Sequence, residues 1–153
     1  MRLTRHSDYA LRVLLFLGAA RGDLVTIGAI ADRFAISRNH LMKVVNRLGA
    51  HGFVETVRGK HGGIRLAMAP EALTIGDLLR RTEEDFALAQ CFTDGDGRCR
   101  IEGNCAVRAV LGEALGAFFA VLDRYTLADL LYNRGDLAAD LALDEVVIPI
   151  REV

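Results

Sequence analysis

Apolar positions recur at helical spacing three times in the first fifty residues. Leu11, Leu14, Leu15 and Leu17 form one stripe behind Ser7, which can cap a helix over 8–20 that Gly22 would stop. Thr26 opens a second helix running to Phe34. A short turn at Ala35-Ile36 follows, and Ser37 caps a third helix to about Gly49. Leu41, Val44, Val45 and Leu48 face inward on this third helix. Its other face carries Arg38, Asn39, His40, Lys43, Asn46 and Arg47. Helix, tight turn and capped helix make the helix-turn-helix pattern.

The period then shortens to two. Phe53 to Val57 reads as one strand and Ile64 to Met68 as another, with Arg58-Gly59-Lys60-His61-Gly62-Gly63 between them. The result is a β-hairpin with a basic, glycine-rich tip, a wing, which Pro70 ends. Thr74 to Arg81 predicts a short linking helix. From about Cys105 to Tyr132 the pattern predicts one long helix. Along it Leu111, Leu115, Phe118, Leu122 and Tyr125 alternate spacings of four and three, a coiled-coil-like seam. Gly112, Gly116 and Ala120 add a stripe of small residues that permits close helix approach. Such a helix is too long and apolar for the remaining chain to cover, which favours a seam between two copies. The tail from Gly135 is acidic and apolar by turns, and its pattern assigns it no role.

Charge changes the picture. The net formal charge is only −1, yet residues 1–65 hold 11 Lys/Arg against 4 Asp/Glu, and the remainder holds 8 against 16. All 4 histidines also lie in the first part. A basic front half is the footprint of a chain that meets phosphate. Ser37, Arg38, Asn39 and His40, in the first turn of the third helix, are then candidates for reading base edges in the major groove. Lys43, Asn46 and Arg47 suit phosphate or groove edge. Arg58, Lys60 and His61 on the wing tip suit phosphates or the adjacent minor groove. A dimer would present two such helices to a near-palindromic operator, with half-sites roughly 34–36 Å apart. The predicted fold is mostly α with a small β wing. It comprises a winged helix-turn-helix DNA-binding domain over 1–82, a cluster-binding loop region over 83–104, a dimerisation helix over 105–133 and a tail over 134–153.

The chain's 3 cysteines, Cys91, Cys99 and Cys105, fall on one loop-like stretch. An odd number gathered together argues against a disulfide framework and for a metal. Zinc knuckles pair cysteines two to four residues apart, whereas here the gaps are seven and five. An iron–sulfur cluster accepts a looser loop, which Gly95, Gly97 and Gly103 would let curl round it. Three thiolates leave one iron for a carboxylate, a histidine or a small molecule. Free surface thiols are the plain alternative. The N-terminal stretch Val13 to Ala20 superficially resembles a secretory signal, but Asp8 and Arg12 interrupt it and its period is helical. No transmembrane-length stretch is present, and a reducing cytoplasm is the expected setting. No nucleophilic triad or phosphate-cradling loop proposes an enzyme.

Taken together, Ser7-Asp8-Tyr9-Ala10-Leu11-Arg12, the recognition helix, the wing Arg58 to Leu66, the segment Leu73 to Asp77 and the three-cysteine loop resemble the Rrf-type winged-helix regulators. The resemblance spans roughly residues 1–132 and is strongest to the nitric-oxide-sensing repressors of that family. It implies a homodimer whose long helices cross, and a 4Fe–4S cluster held by Cys91, Cys99, Cys105 and, from the other subunit, Asp8. It also implies that nitrosylation of the cluster releases promoter DNA. Arg12, one turn beyond Asp8, would hold the carboxylate through an ion pair. Sister regulators of cluster assembly use a histidine three residues after the third cysteine, where this chain has Arg108. A redox or assembly regulator with a 2Fe–2S cluster is the alternative within the family. An electron-transfer protein leaves the wing unexplained, and a zinc-stabilised interaction module needs a tighter knuckle.

Overall fold

The computed structural model describes residues 2–92, 99, 101 and 104–148. Helix α1 spans Arg5–Ala19. Its cap is Thr4, whose hydroxyl accepts from the Ser7 N–H at 3.3 Å. Ser7 therefore does not cap the helix. It lies inside the first turn, fully buried, and donates to the Thr82 hydroxyl at 2.8 Å. Ala10, Val13, Leu14, Phe16 and Leu17 make α1 the central element of the core, while Leu11 and Leu15 are only partly covered.

Strand β1, Leu24–Val25, leads into α2, Ile27–Phe34, capped by Thr26. Ala35 turns the chain with a left-handed φ of 52°, Ile36 is buried behind it, and Ser37 caps α3, Arg38–Ala50. The turn is short because one residue takes the left-handed conformation, at a cost the packing of Ile36 offsets. Leu41, Val44, Val45 and Leu48 are all buried, so α3 lies on α1 and α2 with its polar face outward.

The wing follows as β2, Val54–Val57, and β3, Gly63–Leu66, antiparallel in the register Val54↔Leu66 to Val57↔Gly63. Two glycines make its tip possible. Gly59 has φ +120°, and a Cβ on Gly62 would lie 2.2 Å from the Val57 carbonyl oxygen. The hairpin is not a free two-stranded ribbon. It belongs to a four-stranded antiparallel sheet in the order β2-β3-β1-β4, whose last strand is Val147–Ile148 from the far end of the chain. Two strands of two residues each carry no period, which is why the pattern shows only the hairpin.

Helix α4, Ile75–Thr82, is capped by Thr74. Helix α5, Val107–Leu122, ends well short of Tyr132. The chain turns at Asp123–Tyr125 and restarts as α6, Leu127–Leu130, under a capping box. There the Thr126 hydroxyl accepts from the Asp129 N–H, and the Asp129 carboxylate accepts from the Thr126 N–H at 2.7 Å. Residues around this break are tied to the start of α4: Ile75 N–H donates to the Tyr125 carbonyl at 2.9 Å and Leu127 N–H to the Leu73 carbonyl at 2.8 Å. Helix α7, Arg134–Asp140, then packs on α1, and Leu141 and Leu143 enter the same core. The tail thus returns to the helix-turn-helix. Among the described residues, no helix is long and apolar enough to cross a membrane.

Candidate nucleic-acid interface and metal centre

The start of α3 is open to solvent. Ser37, Arg38, Asn39, His40, Lys43 and Asn46 are exposed and Arg47 is half-buried. Ser37 has a structural task, its hydroxyl accepting from the His40 N–H at 3.3 Å. Arg38 is held back toward α2. Its guanidinium meets Asp32 at 3.2 Å and lies over Gly28, where a Cβ would come within 3.3 Å of it. His40 sits edge-to-face on Tyr9 of α1, with ring centroids 5.5 Å apart. Asn39 and Lys43 complete the outward face between these two tethered residues.

On the wing Arg58, Lys60 and His61 are exposed at the tip, while Arg65 pairs with Glu55 across the strands. Among the described residues Lys43, Arg47, Arg58 and Lys60 make no ion pair. Lys43, Arg58 and Lys60 are also exposed, and available cations attract phosphate. On α1 stands His6, whose Nε2 is buried without a hydrogen-bond partner. Burial, helped by the Arg47 guanidinium, holds its pKa below the ordinary histidine value.

The thiols lie elsewhere. Cys91 falls in a single 3-10 turn, Gln90–Phe92, and Cys105 is followed by Ala106, the N-cap of α5. All three cysteines are unpaired and half-buried, and none forms a disulfide. Gly95, Gly97 and Gly103 lie outside the described residues. Among the described residues no three His, Cys, Asp or Glu side chains are grouped to hold a metal ion. Cys91, Cys99, Cys105 and Asp8 are therefore not assembled as one ligand set within the single chain. Their chemistry still fits an iron–sulfur group: three soft sulfurs on one segment and one exposed carboxylate able to complete the set from outside.

Asp8 and Arg12 form the expected pair on α1. Arg12 reaches the carboxylate through Nη2 at 2.9 Å and Nε at 3.3 Å. The guanidinium also lies 5.9 Å from the Tyr9 ring and 5.8 Å from the Phe34 ring. Sequence reasoning missed Asp32, Tyr9 and Phe34 as partners of these residues, because each comes from another turn or helix. It also missed Glu145, which meets Arg33 of α2 at 3.3 Å.

Comparison with known proteins agrees with this architecture. Residues 3–133 match the Rrf2 family, described as iron-dependent transcriptional regulators. The HTH-type transcriptional regulator NsrR of Bacillus subtilis is 51% identical over 146 residues, covering 95% of this chain and 100% of that protein. NsrR of Geobacillus kaustophilus is 50% identical over 138 residues, covering 90% and 94%. Among solved structures, CymR, the global cysteine regulator of B. subtilis, superposes with a TM-score of 0.68 at 26% identity, covering 85% of this chain and 95% of that one. IscR of T. potens gives 0.64 at 26% identity over 87% and 88%. The NsrR and CymR relatives are named as regulators rather than enzymes, and the chain belongs to the Rrf2 family of winged-helix transcriptional regulators.

Proposed function

We propose that the chain is a cytoplasmic, homodimeric repressor that grips a near-palindromic promoter site while it carries a 4Fe–4S cluster, and that nitric oxide acting at the cluster releases the DNA. One juxtaposition carries this reading. A basic recognition helix and wing stand on the same chain as three free thiols that lead into an apolar helix largely open to solvent. The identity with proteins named NsrR supports the branch of the family. Residues 1–82 form the DNA-binding unit, 83–104 the cluster loop and the helix after Cys105 the dimer seam. Among the described residues of one chain, only Phe119 is buried along α5, Leu111, Leu115, Phe118 and Leu122 are half-buried, and a Cβ on Gly112 or Gly116 would meet nothing within 4 Å, so the seam is left partly open for a second copy.

Cys91, Cys99 and Cys105 of one subunit and Asp8 of the partner subunit would hold the group. When bound, it supplies iron open to attack by nitric oxide at the position held by the harder, weaker carboxylate. The residues of the chain do the rest. Arg12 fixes the Asp8 carboxylate and braces it against Tyr9 and Phe34. Tyr9 in turn backs His40 of α3. Loss of the Asp8 bond would relax this contact chain and shift the recognition helix, a two-state element biased by a ligand event.

The test is anaerobic purification with iron and sulfide analysis and an absorption spectrum, on the natural chain and on Asp8→Ala. Four irons with four sulfides per chain, and a changed spectrum in the variant, are expected. Two irons per chain would point to the 2Fe–2S alternative, and zinc without sulfide would remove the sensing role altogether.

A further inference from the structure

The C-terminal segment is built against the DNA-binding face. Leu141 and Leu143 are buried in the core, and β4 hydrogen-bonds to β1 through Leu24↔Ile148 and Val25↔Val147. Between these anchors Ala142 adopts a left-handed φ of 43° and starts the 3-10 turn Leu143–Glu145. That turn carries two exposed acids, Asp144 and Glu145, over α2. The Glu145 carboxylate meets Arg33 at 3.3 Å. With Val146 it also lines an open groove shared with Thr26, Gly28, Asp32 and Arg38.

This groove is where the beginnings of α2 and α3 come together. Thr26 caps the first, and Arg38 is the first residue of the second. Helix N-termini offer N–H groups and positive dipole ends, and with Arg38 they favour a phosphate. A carboxylate placed there repels it. The same carboxylate adds little to the fold, since Glu145 is 74% exposed and surface pairs contribute little. Its effect is therefore on what approaches the groove.

We propose that residues 141–148 act as an acidic strap that restrains DNA binding, Glu145 neutralising Arg33 and opposing phosphate at the start of α2 and α3. The strap sets the affinity of the DNA-binding face, and the proposal rests on the placement of that face given above. Asp32, which pairs with Arg38, supplies a second opposing charge from within the helix-turn-helix.

The experiment measures binding of the anaerobically prepared full chain to a mixed-sequence DNA duplex long enough for two half-sites. It compares the natural chain with Glu145→Gln, Glu145→Lys and Arg38→Ala. Glu145→Gln should tighten binding by about three- to tenfold at about 0.05 M salt, with a smaller gain at about 0.2 M. Glu145→Lys should tighten it further. The thermal midpoint of Glu145→Gln should stay at the natural value, which shows that the strap is still seated. If Arg38→Ala weakens binding while both Glu145 variants leave it unchanged or weaker, the restraint is refuted and the DNA-binding face stands. If Arg38→Ala has no effect, the face itself is misplaced and the proposal falls with it.

Discussion

Single residues show how tertiary partners choose among locally equal options. Thr4 and Ser7 are both capping residues three apart. The structure makes Thr4 the cap because Ser7 has a buried partner, Thr82, far along the chain. The Thr82 hydroxyl in turn donates to the Leu78 carbonyl at 3.0 Å. Ser7→Ala removes one donor from this closed pair, and a stability loss of about 1 kcal/mol is expected in chemical denaturation. An unchanged midpoint would show that the hydroxyls do not hold α1 to α4. The Asp8–Arg12 pair was legible in advance because its spacing is local. The Arg38–Asp32 and His40–Tyr9 contacts were not, since each depends on how two helices meet. The spacing of the cysteines suggests a set, yet among the described residues no three His, Cys, Asp or Glu side chains come together, so the chain by itself does not display the ligand group.

Elements announced themselves through their caps. Thr26, Ser37 and Thr74 each mark the start of a helix that the structure contains, and the wing is where period-two alternation places it. The break between α5 and α6 went unread although Thr126-Leu127-Ala128-Asp129 spells its capping box, because the apolar seam runs on across it. The break matters for packing. Asp123, just past α5, takes two hydrogen bonds from Arg80 of α4 at 2.5 and 2.7 Å, and Arg80 lies 4.2 Å over the Phe119 ring. The hydrogen bond from Arg80 holds the Asp123 carboxyl below its ordinary value of 3.8. A depressed carboxylate stabilises the fold above its unfolded pKa and loses that effect as pH falls through the folded one. Asp123→Asn should therefore be less stable than the natural chain at neutral pH. The gap should begin to narrow as the pH falls below 3.8, and be smaller at about pH 3 than at neutrality. Denaturation curves at the two pH values decide it, and an equal gap at both would show that the charge is irrelevant.

At the scale of the molecule, the sequence revealed the division between a basic front and an acidic rear but not that the rear folds back. The strands β1 and β4 are too short to carry a period, and they pair only because α6 and α7 route the tail along α1. Along α5, Val107 is 53% exposed and Val110 62% exposed, an apolar stripe left open in the single chain. Val110→Glu should therefore weaken self-association by about two orders of magnitude, because each dimer would bury two unpaired charges. Sedimentation would read this as a shift to monomer, with unchanged far-ultraviolet circular dichroism. A variant that remains dimeric would move the seam off this stripe.

Helix α5 is firmly fastened at its C-terminal end. Its Leu122 end is fastened by the exchange between Leu73–Ile75 and Tyr125–Leu127 and by Arg80, while its Val107 end adjoins Cys105. Its 16 residues make an arm about 24 Å long. A tilt of about five degrees about its Leu122 end would carry the Val107 end, and Cys105 beside it, through about 2 Å.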